Sequence, residues 1–241
     1  MMQSPAATDR IAESMRRPIT QYVALISDLA GERVQGLTFF GAVVAGVFDS
    51  ARHTARNVLV MDEIDLSVLK RLAPHGPALG KTAISAPLVM TPRYIETSMD
   101  TFPLEFIEIQ QMHVTVLGQD CFDSLTFENA HVRLQCEREL KVLQIGLRQG
   151  LLASAGREAC VDALEQDVGE GLLRTLRGML WLKGMHDSRP AGAVLDEVEK
   201  LIDQRLDGVR TALDAKATHG WTAFEQLYRD VERLGEVVDA W

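Results

Sequence analysis

The sequence has few cysteines, no long apolar run and no excess of positive charge. Its three cysteines, Cys121, Cys136 and Cys160, are far apart and form no CxxC pair, which favours free thiols in a reducing compartment. No stretch reaches the ~18 apolar residues of a membrane span, and the first residues lack the apolar core of a signal peptide. We therefore predict a cytoplasmic protein that does not insert into membranes.

The charge balance restricts the partners of the chain. Its 25 Lys and Arg residues against 34 Asp and Glu residues give a formal net charge of −9. Non-specific binding to nucleic acids or anionic lipids needs clustered positive charge, so both are excluded. A nucleotide or a small molecule stays compatible with this charge, because it needs only one local pocket.

Several common site motifs are also missing. The six histidines and three cysteines show no zinc-type spacing. The stretch GPALGK, which ends at Lys81, is too short for a phosphate-binding P-loop, and an isolated Lys81 or Arg93 seldom binds phosphate. No serine has the context of a Ser-His-Asp triad, so hydrolase chemistry has no support.

The first half of the chain alternates helical and strand patterns. A helix is predicted around Tyr22, Val23, Ile26 and Leu29, and Gly31 ends it. The predicted strands and helices that follow are strands Val34–Phe40, Asn57–Met61, Ile84–Met90, Pro103–Ile109 and His113–Leu117, and helices Val43–Phe48, Ile64–Leu72 and Pro92–Met99, the last with Thr91 as its N-cap. For Pro103–Ile109 (PLEFIEI) both a helix and a strand fit the pattern, and its short length favours the strand.

After Gly118 the apolar residues recur every three or four positions, which is typical of long amphipathic helices. Four such stripes run from Val132 to Leu151, from Val161 to Met179, from Val194 to Val209 and from Phe224 to Trp241. Four helices with short connections pack most naturally as an antiparallel bundle. We therefore predict an α/β (α+β) domain with a mixed sheet at 1–120, followed by an all-α antiparallel helical bundle at 121–241.

The strand that ends in Gly41-Ala42, followed by a second strand, resembles the nucleotidyltransferase superfamily, in its polymerase β-like and kanamycin nucleotidyltransferase-like branches. The segments TPRYIETSMDTFPLEFIEIQQMHVTVLGQD and HVRLQCEREL are also similar to uncharacterised bacterial nucleotidyltransferase-like proteins. The resemblance implies that Gly41 and Ala42 form the turn that contacts nucleotide phosphates. It also implies Mg²⁺ and a nucleoside triphosphate as cofactor and substrate of an active member.

The same resemblance locates a metal site that this sequence does not complete. Active members carry two carboxylates one residue apart at the start of the second strand, where this chain has Ala55 and Asn57. Asn57 offers a neutral oxygen to a nucleotide or cation, without the charge that offsets a divalent ion. A third carboxylate comes from a later strand in the family, and Glu105 and Glu108 are the candidates for this catalytic or metal-binding role. The motif is therefore degenerate, and no metal is expected to bind well.

Other acids could replace the missing pair. Asp49 lies in the loop between the two strands, and Asp62, Glu63 and Asp65 follow the second strand. The run from Asp62 to Asp65 is more typical of a helix start, where acids suit the helix dipole. Glu105 and Glu108 in turn are more simply explained as partners of arginines such as Arg93 or Arg138.

The start of the helical half carries a second candidate site. Arg133, Glu137 and Lys141 form i,i+4 pairs typical of a solvated helix face. Gln135, Arg138 and Glu139 lie near another face, and in bundle-bearing relatives a cleft there holds the acceptor substrate. Interdomain packing is the simpler interpretation of these three residues.

Three functions stay open. The first is a catalytically inactive or weak nucleotide- or partner-binding module, whose partner is another protein or a second copy of the chain. The second is an active Mg²⁺-dependent transfer of AMP from a nucleoside triphosphate to a small molecule or protein. The third is a protein-interaction module built on the helical bundle.

Overall fold

The computed structural model describes residues 9–46, 48–155, 157–214, 216–217 and 220–241, without the side chains of 159, 162, 165–167 and 170. Its strands are β1 Val34–Phe40, β2 Arg56–Met61, β3 Leu88–Met90 and β4 His113–Gly118. Its α-helices are α1 Glu13–Ala30, α2 Leu66–Leu72, α3 Gly76–Lys81, α4 Pro92–Ser98, α5 Pro103–Gln111, α6 Asn129–Ala153, α7 Glu158–Asp167, α8 Gly169–Leu182, α9 Ala191–Ile202, α10 Asp207–Leu213 and α11 Trp221–Asp239. None of the helices in the described ranges is long and apolar enough to span a membrane.

The backbone contacts divide the chain into two compact units. The first runs to Met99 and resumes from Phe106 to Thr126, and the second comprises Asp100–Glu105 and Phe127–Trp241. The first unit holds the sheet, and the second holds the C-terminal helices. The predicted class, a mixed-sheet domain followed by a helical one, is confirmed.

The four strands form one mixed sheet in the order β3-β2-β1-β4. β1 lies in the middle and pairs antiparallel with β2 and β4, while β3 runs parallel to β2 at the edge. The pairing Phe40↔Arg56 brings the end of β1 beside the start of β2. The glycine turn after β1 therefore lies next to the first residues of β2.

Helix α1 covers one face of this sheet, as its apolar stripe predicts. Its buried side chains include Ile19, Tyr22, Val23 and Ile26, which belong to the same apolar core as Phe39 of β1. The helix ends at Gly31, whose φ of 56° lies in the left-handed region that glycine adopts without strain. This core fixes which face of the neighbouring strands is turned inward.

Two predicted elements of the first half are wrong. The segment PLEFIEI lies within helix α5, and its side chains Leu104, Phe106, Ile107 and Ile109 are all buried. An element that is buried on all sides has no alternation or helical stripe, so its pattern did not distinguish helix from strand. The predicted helix Val43–Phe48 is also absent from its described residues, where a 3₁₀ turn, Gly41–Val43, leads into turns; Val47 lies outside the described residues.

Other predictions of the first half are confirmed with small shifts. Asp65 is the N-cap of α2 and accepts a hydrogen bond from the Ser67 N–H (2.7 Å), and Thr91 caps α4 in the same way through the Tyr94 N–H (3.1 Å). The third strand is shorter than predicted, since only Leu88–Met90 is paired along its length and an isolated bridge joins Ile84 to Ala55. Local capping signals thus located these helices correctly.

In the second unit, two of the four apolar stripes are divided between two helices each. The stripe from Val161 is divided at Val168, and the stripe from Val194 at Asp203, which adopts a left-handed conformation (φ 52°). After that break the buried Glu199 carboxylate accepts the Leu206 N–H (2.9 Å). An apolar stripe predicts the buried face but not the residue at which the helix stops.

A carboxylate from α11 caps the short helix α10. Asp230 is buried and accepts hydrogen bonds from the N–H groups of Gly208 (2.8 Å) and Val209 (3.2 Å). Burial raises the pKa of Asp230, and the two N–H donors only partly offset that effect. Gly208 also packs directly against the backbone of α11, so that these two helices touch at a residue without a side chain.

Candidate functional site

The turn after β1 is compact, with Gly41 and Val43 buried and Ala42 half-buried. Gly41 has a φ of 76°, donates its N–H to the Met112 carbonyl (2.9 Å) and accepts hydrogen bonds from the N–H groups of Val44 (2.9 Å) and Ala45 (3.1 Å). A Cβ atom at Gly41 would have no heavy atom within 4 Å. The turn is therefore held by its own backbone and leaves free space above Gly41.

An arginine lies beside this turn. The Arg56 guanidinium is 4.4 Å from the centroid of the Phe40 ring, and its Nη1 and Nη2 donate to the Glu108 carboxylate oxygens at 2.8 and 3.3 Å. The Arg56 side chain is 37% exposed, whereas that of Glu108 is only 11% exposed. This fork-shaped pair places a fixed positive charge next to the end of β1.

Asn57 and Ala55, at the positions that the resemblance assigns to the metal-binding carboxylates, are turned into the core. Both are buried, at 1% and 0% exposure. Asn57 Oδ1 accepts a hydrogen bond from the Tyr22 hydroxyl (3.2 Å), and its Nδ2 donates to the Ser85 carbonyl (3.0 Å) and to the Ala55 carbonyl (3.4 Å). Burial raises the pKa of Tyr22, which keeps its hydroxyl protonated as the donor. Asn57 thus bonds within the core, which leaves its predicted contact with a nucleotide unsupported.

The strand beside β2 supplies no third carboxylate. β3 is Leu88–Met90, and the chain from Ile84 to Met90 contains no acidic residue. Glu108 reaches the start of β2 from helix α5 instead, and there it is bonded to Arg56. Within the described residues, no three His, Cys, Asp or Glu side chains come together in a way that could hold a metal ion.

Asp49 stays apart from any such cluster. Its Oδ1 accepts the Ala51 N–H (2.9 Å) within the loop, and its other oxygen lies 3.9 Å from the Arg52 guanidinium. More than half of its side chain is exposed. The geometry is that of a local loop-stabilising carboxylate.

The remaining acids lie at the wrong end of β2. Asp62 and Glu63 follow the last residue of the strand, roughly 23–26 Å along the extended chain from Ala55 at ~3.3 Å per residue. Asp62 Oδ1 accepts the Glu63 N–H (2.8 Å), and Asp65 is paired with Arg33 in addition to capping α2. Of these acids, Asp65 therefore has a helix-start role, and Asp62 and Glu63 lie in the bend before it.

In the second unit, hydrogen bonds connect the buried Gln135 to the partly exposed Glu105. Gln135 is buried, accepts the Leu104 N–H (2.9 Å) through Oε1 and donates to the Glu105 carboxylate (2.8 Å). The second Glu105 oxygen accepts from Arg174 Nη1 (3.1 Å). The hydrogen bonds described for Glu105 thus go to Gln135 and Arg174, whereas those described for Glu108 go to Arg56.

The other predicted residues of the helical half lie on the surface of α6. Arg138 and Glu139 are 3.8 Å apart, with about half of the Arg138 side chain exposed. Glu137 pairs with Arg133 (3.0 Å) and with Lys141, which confirms the predicted i,i+4 pairs. Of the predicted trio, Gln135 is thus an interior residue and only Arg138 and Glu139 are accessible.

Sequence reasoning missed Arg56, although one signal pointed to it. If Ala55 and Asn57 share the inner face, alternation places Arg56 on the opposite face of β2. A charged residue at the start of an otherwise apolar strand needs a partner, and Glu108 is that partner.

Sequence reasoning also missed a cluster of polar side chains that holds the loop after β4. The His113 ring bonds Gln110 O through Nδ1 (3.0 Å) and Asp120 Oδ2 through Nε2 (2.8 Å), while Asp120 also accepts the Phe122 N–H (2.9 Å). Burial alone raises the pKa of Asp120, but the Phe122 N–H and the His113 ring outweigh it, so that the pKa is lowered overall. These hydrogen bonds hold residues 119–123 in place after β4.

A mixed sheet with a glycine turn between its first two strands, followed by a mostly helical part, is the nucleotidyltransferase fold with a helical domain. The structure is similar to that of spectinomycin adenyltransferase AAD(9) from Enterococcus faecialis, solved with ATP and spectinomycin, with a TM-score of 0.59 and 11% sequence identity over 92% of this chain and 98% of that chain. At this identity the similarity shows the fold alone. No protein-family model and no curated protein matches the chain.

Proposed function

We propose that this chain is a nucleotidyltransferase-fold protein with a degraded metal site, which works as a catalytically inactive or weak nucleotide- or partner-binding module. The observation that carries the proposal is the start of β2. There the two residues expected to be carboxylates are Ala55 and a core-bonded Asn57, and the outward residue between them is the cation Arg56. The free thiols favour a cytoplasmic protein.

Electrostatics explains why nucleotidyl transfer would be lost. Nucleotidyl transfer with two Mg²⁺ ions needs carboxylates to offset the metal charge and to position the ions. Among the described residues, the acid that reaches the start of β2 is Glu108, and its ion pair with Arg56 leaves little net negative charge there to offset a divalent cation. The loss of such charge stabilisation lowers a rate by roughly a thousandfold or more.

The ligand of the module is expected to resemble the ligands of the fold. The spectinomycin adenyltransferase was solved with ATP and spectinomycin, and the glycine turn at Gly41 and Ala42 is the feature of this chain that suits a phosphate group, with the half-buried Ala42 as its more accessible residue because the Gly41 N–H is bonded to the Met112 carbonyl. In our proposal these two residues contact the nucleotide, while Asn57 stabilises the start of β2 through its hydrogen bonds within the core.

Calorimetry with ATP, in Mg²⁺ and in EDTA, tests the proposal. We expect no metal-dependent binding and no transfer of label from α-labelled nucleoside triphosphates to small-molecule or protein acceptors. Glu108→Gln should leave this result unchanged, and Glu96→Gln, at an exposed position on α4, is the control for the loss of one surface charge. Tight Mg²⁺-dependent ATP binding, or label transfer that Glu108→Gln abolishes, would overturn the proposal in favour of active AMP transfer.

Active transfer is the second candidate, because Glu108 does reach the start of β2 near the Gly41 turn. In that case Glu108 and Glu105 would act as the acids, with Asp49 as an additional metal ligand and Gln135, Arg138 and Glu139 on the acceptor side. The separate partners of Glu105 and Glu108 make it the less favoured function.

An exposed apolar stripe on α6 favours the third candidate, an interaction module that forms a homo-oligomer. Leu134, Val142, Ile145 and Leu152 are 57%, 59%, 52% and 81% exposed, and they lie within about 80° of arc on the helix. Sedimentation velocity of the wild type and of Ile145→Glu tests it. A dimer that the substitution dissociates would support this function, and a monomer at all concentrations would remove it.

A further inference from the structure

A cavity opens between α6 and α11 in the second unit, apart from the residues discussed above. It has a volume of about 340 Å³ and is lined mainly by Leu151 of α6 and by Trp221, Phe224 and Tyr228 of α11. The three aromatic residues follow each other by three and four positions, so they share one face of α11. The volume falls in the range of small-molecule sites, roughly 300–1,000 Å³.

The aromatic rings offer flat surfaces to a flat ligand. Phe224 is buried, whereas Trp221 is 38% exposed, and their ring centroids lie 6.5 Å apart in an edge-to-face arrangement. Phe224 thus forms the buried part of the lining, and Trp221 forms a partly exposed part. Aromatic side chains prefer offset or edge contacts with further aromatic rings, which favours a planar ligand over a branched aliphatic one.

An arginine whose position is fixed by a hydrogen bond lies at the edge of the cavity. Arg148 Nε donates to the Tyr228 hydroxyl (2.6 Å), and its guanidinium carbon is 5.4 Å from the centroid of the Tyr228 ring. In the part of the chain that the structure describes, no carboxylate lies within salt-bridge distance of Arg148. Glu225 also lines the cavity, and its carboxylate lies 3.4 Å from Arg229, another lining residue, so that this pair adds little net charge.

We propose that this cavity binds a planar aromatic molecule with one anionic group, its ring against Trp221 and Phe224 and its anion on the Arg148 guanidinium. Since the chain carries a net charge of −9, general attraction would not bring an anion here, and the local arginine would have to select it. The Tyr228 hydroxyl holds the guanidinium in place, which lowers the entropy lost on binding. The inference concerns the second unit and does not depend on the function proposed above.

Calorimetry with a matched pair of probes, 2-naphthoate and the uncharged 2-naphthylmethanol, tests this site. Arg148→Gln should weaken binding of naphthoate by about tenfold or more, because a charge-assisted hydrogen bond is lost, while it leaves the alcohol nearly unaffected. Tyr228→Phe should weaken naphthoate binding less, and Trp221→Ala should weaken both probes. Arg205→Gln, an exposed arginine outside the cavity lining, is the control and should change neither.

Three results would overturn the proposal. The first is that the wild type binds no naphthoate, and the second is that Arg148→Gln weakens acid and alcohol equally, which would leave only an apolar surface. The third is a dimer that Trp221→Glu dissociates and naphthoate does not affect, which would assign the cavity to a second copy of the chain. Circular dichroism of each variant shows that it is folded, and the solvent-exposed Arg148→Gln alone decides the charge requirement if Trp221→Ala does not fold.

Discussion

Placing an acid at position 57, by Asn57→Asp, should destabilise the fold and should not create a metal site. The Asn57 side chain is buried, accepts from the Tyr22 hydroxyl and donates to the Ser85 carbonyl at 3.0 Å. A carboxylate keeps the acceptor for Tyr22 but points an oxygen at the Ser85 carbonyl, where a donor is required. It also places a charge in the apolar core between α1 and the sheet.

The magnitude follows from the two ways in which the protein can respond. If the new carboxyl stays charged, the lost donor alone leaves a buried carbonyl unpaired at about 1–3 kcal/mol, and the unpaired buried charge adds several more. If it takes up a proton, holding that proton at pH 7 against an ordinary Asp pKa of roughly 3.9 costs about 1.4 kcal/mol per pH unit, or ~4 kcal/mol. The second route is cheaper, and it is a large share of a typical stability of about 5–15 kcal/mol.

The pH dependence has a definite sign. Burial raises the pKa of the introduced carboxyl above its value in the unfolded chain, so that the folded protein binds the proton more tightly. The stability relative to wild type is therefore nearly kept below about pH 4 and falls by about 1.4 kcal/mol per unit as the pH rises to 7.

Urea denaturation followed by circular dichroism, at about pH 4.5 and at pH 7 and with or without millimolar Mg²⁺, measures this effect. The control is Asn129→Asp, because Asn129 is exposed at the start of α6, where an acid suits the helix dipole. A variant as stable as wild type at pH 7, or one that Mg²⁺ stabilises, would show that position 57 faces a ligand and would refute the reasoning.

Three further predictions concern the packing and the titrating groups. Gly208→Ala should lower the free energy of unfolding by ~3 kcal/mol in urea denaturation, because its Cβ would overlap the Leu227 backbone. The control Gly192→Ala, which has open space around it, should raise that free energy by ~0.5 kcal/mol. Equal effects of the two substitutions would contradict the packing of Gly208 against α11. Because the pKa of Asp120 is lowered, its contribution to stability is present above the ordinary Asp pKa and is lost as the pH falls through the lowered value. Asp120→Asn should therefore flatten the acid side of the pH–stability curve. An unchanged curve would contradict a stabilising role of the Asp120 carboxylate. Burial raises the pKa of the Cys136 thiol to about 12, so iodoacetamide should label it, by peptide mass spectrometry, only after denaturation; rapid labelling of the native protein would contradict its burial.

The elements with strong local signals were predictable from the sequence. Thr91 and Asp65 have side chains that cap a helix start, and Gly31 and Gly41 adopt conformations that favour glycine. The helical stripes gave the buried faces of the second unit, because an amphipathic helix must bury one side. These signals act over a few residues, so no tertiary information is needed to find them.

The chain by itself thus determined the glycine-ended strand, the absence of a carboxylate at positions 55 and 57 and the helical second half. Only the tertiary structure decided that PLEFIEI is a helix, that Asn57 bonds inward and that Arg56 meets Glu108. The reason is that β2 is buried along almost all of its length, so its sequence has no alternation to show which side chains face a site and which face the core. Arg56 and Glu108 are also far apart in the sequence, and it is the fold that brings a charge and its partner together.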